Sequence, residues 1–450
     1  MDNRLGSSPS LRLLICLFLV GGCQAAFSQT VSPQTGATLQ EFIGAALEHN
    51  PQLGIAAETL KIRAARKDAA TGQLLPQLSA SASVTANRQE ALKKTEEFRG
   101  ERYALQLAQV LFNWEVFAAR KRAALGEAQQ KAEYAYERSL LLTQVADRYL
   151  GVLQGQDALE SVQAELEAVA LQAAQLQSLF DRQLVRITDL RQVQASRSAV
   201  RAEQIRLQGE LDVAREALRT LSGLGVGDLG VLREDAAIPP LEQDIEAWSK
   251  LASDNNLEIK AGRIAVEAAR QGIAQTKGAL LPKLSLVAQR QNSDVGYDNA
   301  PIRRTSSTYV GISGSMALYS GGSGMAAIRE ARSTRALGEH QLRQVELEAE
   351  ARVRGAFLQL RSGESLVEAA MAVVKSTTLS TEAMQQGFAL GTVTSVDVLK
   401  AIRDRFRAER DLQKARYDEI RYFLVLKHES GTLTQEDMDT VSSWFATTEP

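Results

Sequence analysis

Three histidines and two cysteines are the residues of this 450-residue sequence best suited to metal binding or redox chemistry, and their spacing favours neither. His49, His340 and His428 have no second ligand at the spacing of a zinc site. Cys16 and Cys23 both lie within the first 25 residues, where an exported chain is cleaved. We therefore expect histidines that only pack or face solvent, no internal disulfide and no cofactor.

The segment from Gly225 to Gly230 matches the glycine spacing of a dinucleotide-binding loop. Such a loop needs a strand before it and a helix after it, so that backbone amides point at the pyrophosphate. Here a helical pattern precedes the glycines and Pro239 follows them, which favours a linker. The sequence also has no Walker-type loop and no serine in a nucleophile elbow, so we predict that the chain is not an enzyme.

The charges are balanced and interspersed, with 52 basic and 54 acidic residues. A nucleic-acid-binding protein would need a basic face, so we expect no nucleic-acid partner.

The N-terminus has the features of an export signal over residues 1–28. Arg4 and Arg12 precede an apolar run at residues 13–20, and small residues follow. Cleavage after Ser28 and cleavage just before Cys23 are both compatible with this segment, and the second would leave Cys23 acylated. Past the signal no run of 18 apolar residues occurs, so any membrane crossing must be built from strands.

The rest of the chain repeats itself at an interval of 206 to 208 residues. Asn50 and the segment 72–78 correspond to Asn256 and the segment 278–284, and Asp189 corresponds to Asp397. A drift of only two residues over each repeat indicates one duplicated unit.

Each unit is predicted to run helix, strand, strand, long helix, helix. We place repeat 1 at 38–222, a linker at 223–250, repeat 2 at 251–431 and a tail at 432–450. The strands are expected at 77–90, 101–113, 283–292 and 308–320, with polar loops at 91–100 and 292–308. The proline-free segments 115–184 and 322–390 are expected to be long helices, each about 100 Å at 1.5 Å per residue.

The strands alternate apolar and polar residues, as strands with one apolar and one wet face do. Corresponding strands of the two repeats have their apolar residues at equivalent positions. One face of these strands is therefore expected to contact lipid and the other to face a lumen. The lipid-facing set is Tyr103, Leu105, Leu111, Val310, Ile312 and Leu318, and the lumen set is Gln106, Ser313 and Ser315. The rings of Tyr103 and Trp114 suit an interfacial girdle, although Trp114 equally suits a strand-to-helix corner.

Four strands cannot close a barrel, since the smallest transmembrane barrels use eight. Open edges in lipid would leave backbone groups unpaired, so several chains must contribute to one barrel. Both strands of each hairpin connect to helices, which must therefore project to the same side of the membrane, the periplasm for an exported chain.

The chain resembles the TolC-type outer-membrane efflux protein family. The residues that carry the resemblance are Leu-Pro-x-Leu at 75–78 and 281–284, the strand ends at 111–113 and 318–322, and the turn from Gly391 to Leu399. It extends over residues 38–431. It implies an α+β membrane protein: a homotrimer with a twelve-stranded β-barrel continued by a periplasmic α-helical barrel.

The resemblance also implies a function. The trimer would be the outer-membrane channel of a tripartite efflux or type I secretion system, docked to a periplasmic adaptor protein and an inner-membrane pump. The alternative is an exported periplasmic coiled-coil protein of structural or adaptor-like type, which would not need two alternating hairpins per chain. Drugs, metals and proteins all remain open as cargo.

A gate is expected at the helical turns that lie farthest from the strands. Thr188, Asp189 and Asp397 are similar in position to the gate residues of that family. Three chains would set rings of carboxylates where the duct narrows, and such rings control which ions pass.

Three departures from the family pattern alter this gate. Phe388 stands where the family's best-known member has a tyrosine, Val393 where it has an arginine, and Lys400 where it has a second aspartate. The lock must therefore differ, and Lys400 would offset the Asp397 ring. In the other interpretation, Asp397, Lys400 and Asp404 form ordinary ion pairs on a helix surface.

Overall fold

The computed structural model of the protein describes residues 37–91, 94–233, 235–236, 238–239, 243–296 and 300–445. The predicted signal peptide and Cys23 lie outside these residues. The helices are α1 (Leu39–His49), α2 (Pro51–Gly72), α3 (Trp114–Asp181), α4 (Ile187–Ser222), α5 (Ile245–Asn255), α6 (Leu257–Gly278), α7 (Ser323–Ala389), α8 (Ser395–Glu429) and α9 (Gln435–Ser443). The strands are β1 (Gln77–Ala91), β2 (Lys94–Phe112), β3 (Lys283–Val295) and β4 (Pro301–Ser315).

This order confirms the duplicated unit of helix, strand, strand, long helix and helix. Each unit also opens with a short helix, α1 or α5, which joins the next helix at an asparagine. The Asn50 side chain accepts hydrogen bonds from the backbone N–H groups of Gln52 and Leu53, and Asn256 does the same for Glu258 and Ile259. An asparagine at this N-cap position satisfies donors that the first helical turn leaves unpaired, which fixes the start of α2 and of α6.

The four strands form one antiparallel sheet in the order β1-β2-β3-β4. The two hairpins are longer than predicted. β2 begins at residue 94 and β4 at Pro301, so the predicted loops at 91–100 and 292–308 are wrong over most of their length. Polar residues continue the ladder there, for example through the pair Arg88–Glu97, because a strand end outside an apolar layer needs no apolar side chains.

β4 ends at Ser315 instead of residue 320. Its partner β3 starts at Lys283, opposite Ser315, so none of the described strands pairs with residues 316–320. Gly321 and Gly322 follow with φ of 61° and 82°, values that glycine adopts without strain, and they turn the chain into α7.

Two long helices, α3 of 68 residues and α7 of 67, match the predicted runs. α3 packs against α4 and α6, and α7 packs against α8 and α6. The main core surrounds Tyr149 of α3 and Tyr417 of α8, which are 1% and 0% exposed. The Tyr149 ring lies 5.9 Å from Phe42 and 5.4 Å from Phe445.

The C-terminal tail is part of this core. It contains α9, whose Met438 and Val441 are fully buried, and Phe445 forms an isolated bridge with Leu232 of the inter-repeat segment. The glycines at 225–230 follow α4 and precede that bridge, so within the described residues they sit in an irregular connection rather than a strand-to-helix turn. Among the helices described, none is both long and apolar enough to cross a membrane.

Candidate functional site

One face of the sheet is apolar. Residues directly opposite each other on antiparallel strands share a face, and the register places Leu105 opposite Ala80, and Ile312 opposite Leu286. The same face carries Leu78, Val84, Tyr103, Leu107, Leu284 and Val310. Ile312 is 70% exposed and Val310 is 68% exposed, so no residue that the structure describes covers these two side chains.

The opposite face is polar. Gln106 lies opposite Ser79 and Gln289, and Ser313 lies opposite Ser285. Ser315 lies opposite Lys283, whose ammonium group is 2.7 Å from a Glu115 carboxylate oxygen at the start of α3. The structure therefore places four of the six predicted lipid-facing residues on one face and the three predicted lumen residues on the other, while lipid contact and lumen exposure stay predictions.

Two of the predicted lipid-facing residues are not regular strand positions. A register shift lies between Val110 and Phe112, so Leu111 is the extra residue of a β-bulge, and Phe112 takes the place opposite Leu284. Leu318 lies three residues beyond the end of β4 and is 89% exposed. The alternation breaks down over residues 109–112, which are Gln, Val, Leu and Phe, so it could not locate the bulge. In the second repeat it continues past Ser315 to Leu318, so it could not locate the end of β4.

The far ends of the long helices form two equivalent turns. In the first, the Leu184 N–H donates to the carbonyl of Leu179 at 2.9 Å. In the second, the Thr392 N–H donates to the carbonyl of Gly387, also at 2.9 Å. This bond across the last helical turn is the Schellman motif, in which one residue adopts a left-handed conformation.

That left-handed position is held by different residues in the two repeats. It is Gly391 in the second repeat, with φ of 77°, and Gln183 in the first, with φ of 63°. Gln183 is the one residue other than glycine with positive φ in the described part of the chain. A side chain costs about 1 to 2 kcal/mol in this conformation, so the first turn is strained where the second is not.

Asp189 and Asp397 both occupy the third position of the helix after the turn. Asp397 forms a capping box with Thr394, whose hydroxyl donates to its carboxylate at 2.6 Å. In the first repeat Arg186 replaces that threonine, and its Nε lies 3.4 Å from the Asp189 carboxylate. Thr188 is exposed, and its hydroxyl donates to Asp189 at 3.5 Å.

The spacing Thr-x-x-Asp in the sequence predicts the capping role of Asp397. This role affects the position of its carboxylate in the predicted ring of charges at the gate. The capping box holds the Asp397 carboxylate at the start of its own helix. Lys400 is exposed, and no ion pair joins it to Asp397 or Asp404 among the described residues. The predicted surface ion pairs are therefore not formed there.

Phe388 and Val393 pack into a second apolar cluster near the turns. Its buried members are Val169, Leu176, Leu190, Val193, Val200, Val398, Leu399, Ile402 and Phe406. Val393 lies so close to Gly387 that a side-chain carbon there would come within 2.6 Å of its Cγ2. These two residues thus join α3, α4, α7 and α8 through apolar contact.

A buried ion pair that the sequence did not reveal lies along the same helices. Arg410 of α8 donates to Glu165 of α3 at 2.9 Å, and their side chains are 22% and 5% exposed. Arg410 also lies 3.4 Å from the Ser161 hydroxyl. The partners are 245 residues apart in sequence and belong to different repeats, so no local pattern could identify them.

The histidines do not assemble a metal site within the described residues. His428 is buried, and its Nδ1 lies 2.8 Å from the Ser139 hydroxyl. Its Nε2 has no partner in the described part of the chain, and burial lowers its pKa. The Nδ1 atom of His49 lies 3.1 Å from the carbonyl oxygen of Ala45.

Comparisons with known proteins agree with this geometry. Residues 42–224 and 248–424 match the family described as outer membrane efflux protein. The chain is 28% identical over 402 residues to outer membrane protein TolC of Escherichia coli, covering 86% of this chain and 81% of that protein. It is likewise 28% identical over 417 residues to alkaline protease secretion protein AprF of Pseudomonas aeruginosa, covering 90% and 86%.

Solved structures share the fold. The CusC structure has a TM-score of 0.78 at 17% identity and covers 88% of this chain and 92% of its own. The CmeC outer membrane channel of Campylobacter jejuni has a TM-score of 0.77 at 14% identity and covers 98% of both chains.

Proposed function

This chain belongs to the outer membrane efflux protein family, and from that premise we propose that it is one protomer of a trimeric outer-membrane channel. The channel is a passive duct of a tripartite efflux or type I secretion system, with a large periplasmic part. It works with a periplasmic adaptor protein and an inner-membrane pump. Proteins of this family are channels, and we propose that this chain carries no enzymatic activity of its own.

The observation that carries this function is the open, two-faced sheet. One face is apolar, the other is polar, and β1 and β4 each pair on one side only within the described chain. Unpaired strand edges are not tolerated in lipid, so further copies must close the sheet. Three copies of a four-stranded sheet give a barrel of twelve strands, with lipid outside and water inside.

The apolar face is long enough to cross a membrane. From Leu78 to Ala86 it covers nine residues of β1, about 26 Å along the strand at 3.3 Å per residue. A tilted strand of about 9 to 11 residues crosses the hydrocarbon layer of a bilayer. We therefore propose that Tyr103, Leu105, Val310 and Ile312 contact lipid, and that Gln106, Ser313 and Ser315 face the lumen. At the bulge, Phe112 would contact lipid together with Leu111. Leu318 would contact lipid at the periplasmic border of the membrane.

The gate is proposed at the two turns, where Asp189 and Asp397 would line the narrow end. Their charges would act on passing ions, and Lys400 would partly offset them. Phe388 and Val393 would hold the helices together by apolar packing instead of the hydrogen bonds and ion pairs of a tyrosine and an arginine. Such a lock would respond less to salt than one built from charges.

The cargo can be small molecules or proteins, because relatives such as AprF are named for protease secretion. In a passive duct, selection falls mainly to the pump. The alternative of a periplasmic coiled-coil protein is not favoured, since it gives no role to an unpaired, apolar sheet face.

The test is cell fractionation followed by electrophoresis with and without heating. We expect the chain in the outer membrane as a trimer that survives detergent and dissociates on boiling. Purified trimers should also conduct ions in a planar bilayer. A monomer in the periplasmic fraction would contradict the proposal and favour the coiled-coil alternative.

A further inference from the structure

Arg290 is a cation on the apolar face of the sheet. The register places it opposite Leu105 on β2 and opposite Thr308 on β4. The next pair toward the helices joins Ala288 to Val310, and the next pair away from them joins Asn292 to Ser306. Arg290 therefore lies one pair outside the last apolar pair of β3 and β4, about 23 Å along β3 from Lys283.

The Arg290 guanidinium has no hydrogen bond and no ion pair with any residue that the structure describes. The nearest acids on this face, Glu101 and Asp294, are engaged elsewhere. Arg304 lies 2.9 Å from Glu101 and 3.4 Å from Asp294, and the Glu101 backbone N–H also donates to Asp294. Arg290 thus presents up to five uncompensated N–H donors.

A recess of about 420 Å³ on this sheet is lined in part by Arg290. Ala80 and Ala82 form its floor on β1, and Tyr103 and Leu105 form its middle on β2. Arg290 and Asn292 border it on β3, and the Asn292 amide also lacks a hydrogen-bond partner among the described residues. The recess thus combines an apolar floor with a cation and an amide at its outer rim.

Resting on the proposed function, we infer that this recess binds a phosphate group of a glycolipid in the outer leaflet of the outer membrane. The sheet side away from the helices is the outer side, because the helices are periplasmic. Arg290 is at the depth where lipid headgroups meet the apolar layer, and its planar guanidinium matches a phosphate in a bidentate geometry. The alanine floor leaves space for part of an acyl chain beside Tyr103.

The chain offers a matched control. Arg99 is exposed on the same face, opposite Ala86, and has no ion pair among the described residues, yet it lies four residues beyond Tyr103 and outside the recess. A diffuse attraction between basic residues and anionic lipid would involve Arg99 as much as Arg290. A built site would depend on Arg290 alone.

The experiment is native mass spectrometry of the purified trimer, titrated with bisphosphorylated lipid A and with the same lipid after dephosphorylation. The wild-type trimer should bind the phosphorylated form about tenfold more tightly, the ratio expected for one charge-assisted contact. Arg290→Gln should abolish this preference, Arg290→Lys should keep part of it, and Arg99→Gln should keep all of it.

Two results would overturn the inference while leaving the channel intact. One is a wild-type trimer that binds both lipid forms equally. The other is an Arg99→Gln trimer that loses as much preference as Arg290→Gln, which would indicate a diffuse charge effect. If the wild-type chain forms no trimer at all, the proposed function fails first and this inference fails with it.

Discussion

Glu165 on α3 and Arg410 on α8 are joined by an ion pair of 2.9 Å, with only 5% of the Glu165 side chain exposed. Removing one partner of a buried pair leaves the other charge without compensation, which costs about 3 to 5 kcal/mol. We expect Glu165→Gln to lower the melting temperature of the trimer clearly. Replacing both partners, in Glu165→Leu with Arg410→Met, should restore most of the loss. Glu58→Gln, which removes an exposed partner of Lys61, is the control and should change little.

The strained turn of the first repeat predicts a stabilising substitution. Gln183→Gly should raise the free energy of unfolding by about 0.5 to 1 kcal/mol, because glycine adopts the left-handed conformation without strain but loses more entropy on folding. Gln183→Ala keeps the Cβ atom and should give no gain. Gly391→Ala should be destabilising in the equivalent position. Thermal unfolding of the three variants measures this, and a gain from Gln183→Ala equal to that from glycine would exclude backbone strain as the cause.

His428 predicts a pH dependence of stability. Burial lowers its pKa in the folded chain, while nearby Glu429 and Glu258 oppose this effect and Arg352 adds to it. The unfolded chain, with a histidine pKa of about 6.5, therefore binds the proton more readily. Stability should be full above that pH, fall as the pH drops below it, and level off below the folded-state pKa.

The substitution His428→Gln should flatten this part of the stability curve. Tyr136, whose ring lies 5.3 Å from His428, has a pKa raised mainly by burial and does not titrate in this range. Exposed His340→Gln is the control and should leave the curve unchanged. An equal slope in the wild type and in His428→Gln would assign the acid sensitivity to other groups.

The two faces of the sheet predict opposite tolerance to charge at adjacent residues. Ile312→Arg places a charge on the proposed lipid-facing side and should cost about 2 to 4 kcal/mol if it lies near mid-membrane. Ser313→Arg places the same charge in the lumen and should cost much less. The yield of heat-sensitive trimers from outer membranes compares the two variants, and equal yields would contradict the assigned faces.

The gate proposal predicts a change in ion selectivity. Lys400→Asp should increase the preference for cations, and Asp397→Ala should reduce it, measured as reversal potentials under a salt gradient. Asp397→Ala also removes the side chain that accepts from the Thr394 backbone in the capping box, which should lower helix stability. Asp397→Asn is therefore the better test of the charge alone, because the amide oxygen of asparagine can still accept a hydrogen bond from Thr394. Unchanged potentials in all three variants would locate the selective ring elsewhere.

Periodicity was sufficient to predict the repeated unit, because strand alternation and long helical runs are local properties of the chain. The prediction from periodicity failed where a strand end or a bulge is determined by residues that are distant in the sequence. The ends of β2 and β4 depend on which residues of the neighbouring strand remain to pair with. The bulge at Leu111 lies where three apolar residues in a row, 110–112, give no alternation from which a register could be predicted. α9 was missed because its apolar residues are few and matter only once Phe445 meets Tyr149.

Some features of the two turns can be predicted from the local sequence, and others cannot. Gly391 and the spacing from Thr394 to Asp397 are readable from sequence, and both appear in the structure as a left-handed turn and a capping box. Gln183 in a left-handed conformation is not readable alone, since glutamine rarely adopts it. Its prediction requires alignment with the second repeat. The same comparison would have shown that Arg186 replaces the capping threonine.

The strand order β1-β2-β3-β4 also implies that the rate of assembly depends on the concentration of protomers. Each newly folded sheet ends in two bare strand edges, β1 and β4, and only another copy can cover them. Barrel closure is then a reaction of order greater than one, so its half-time should shorten as the local concentration of protomers rises. At low expression, the association of protomers would be the rate-limiting step. Until it occurs, the unpaired edge strands of each protomer could pair with a strand of another protein. Crowding the protomers at one site of insertion would shorten this interval without any change in the final structure.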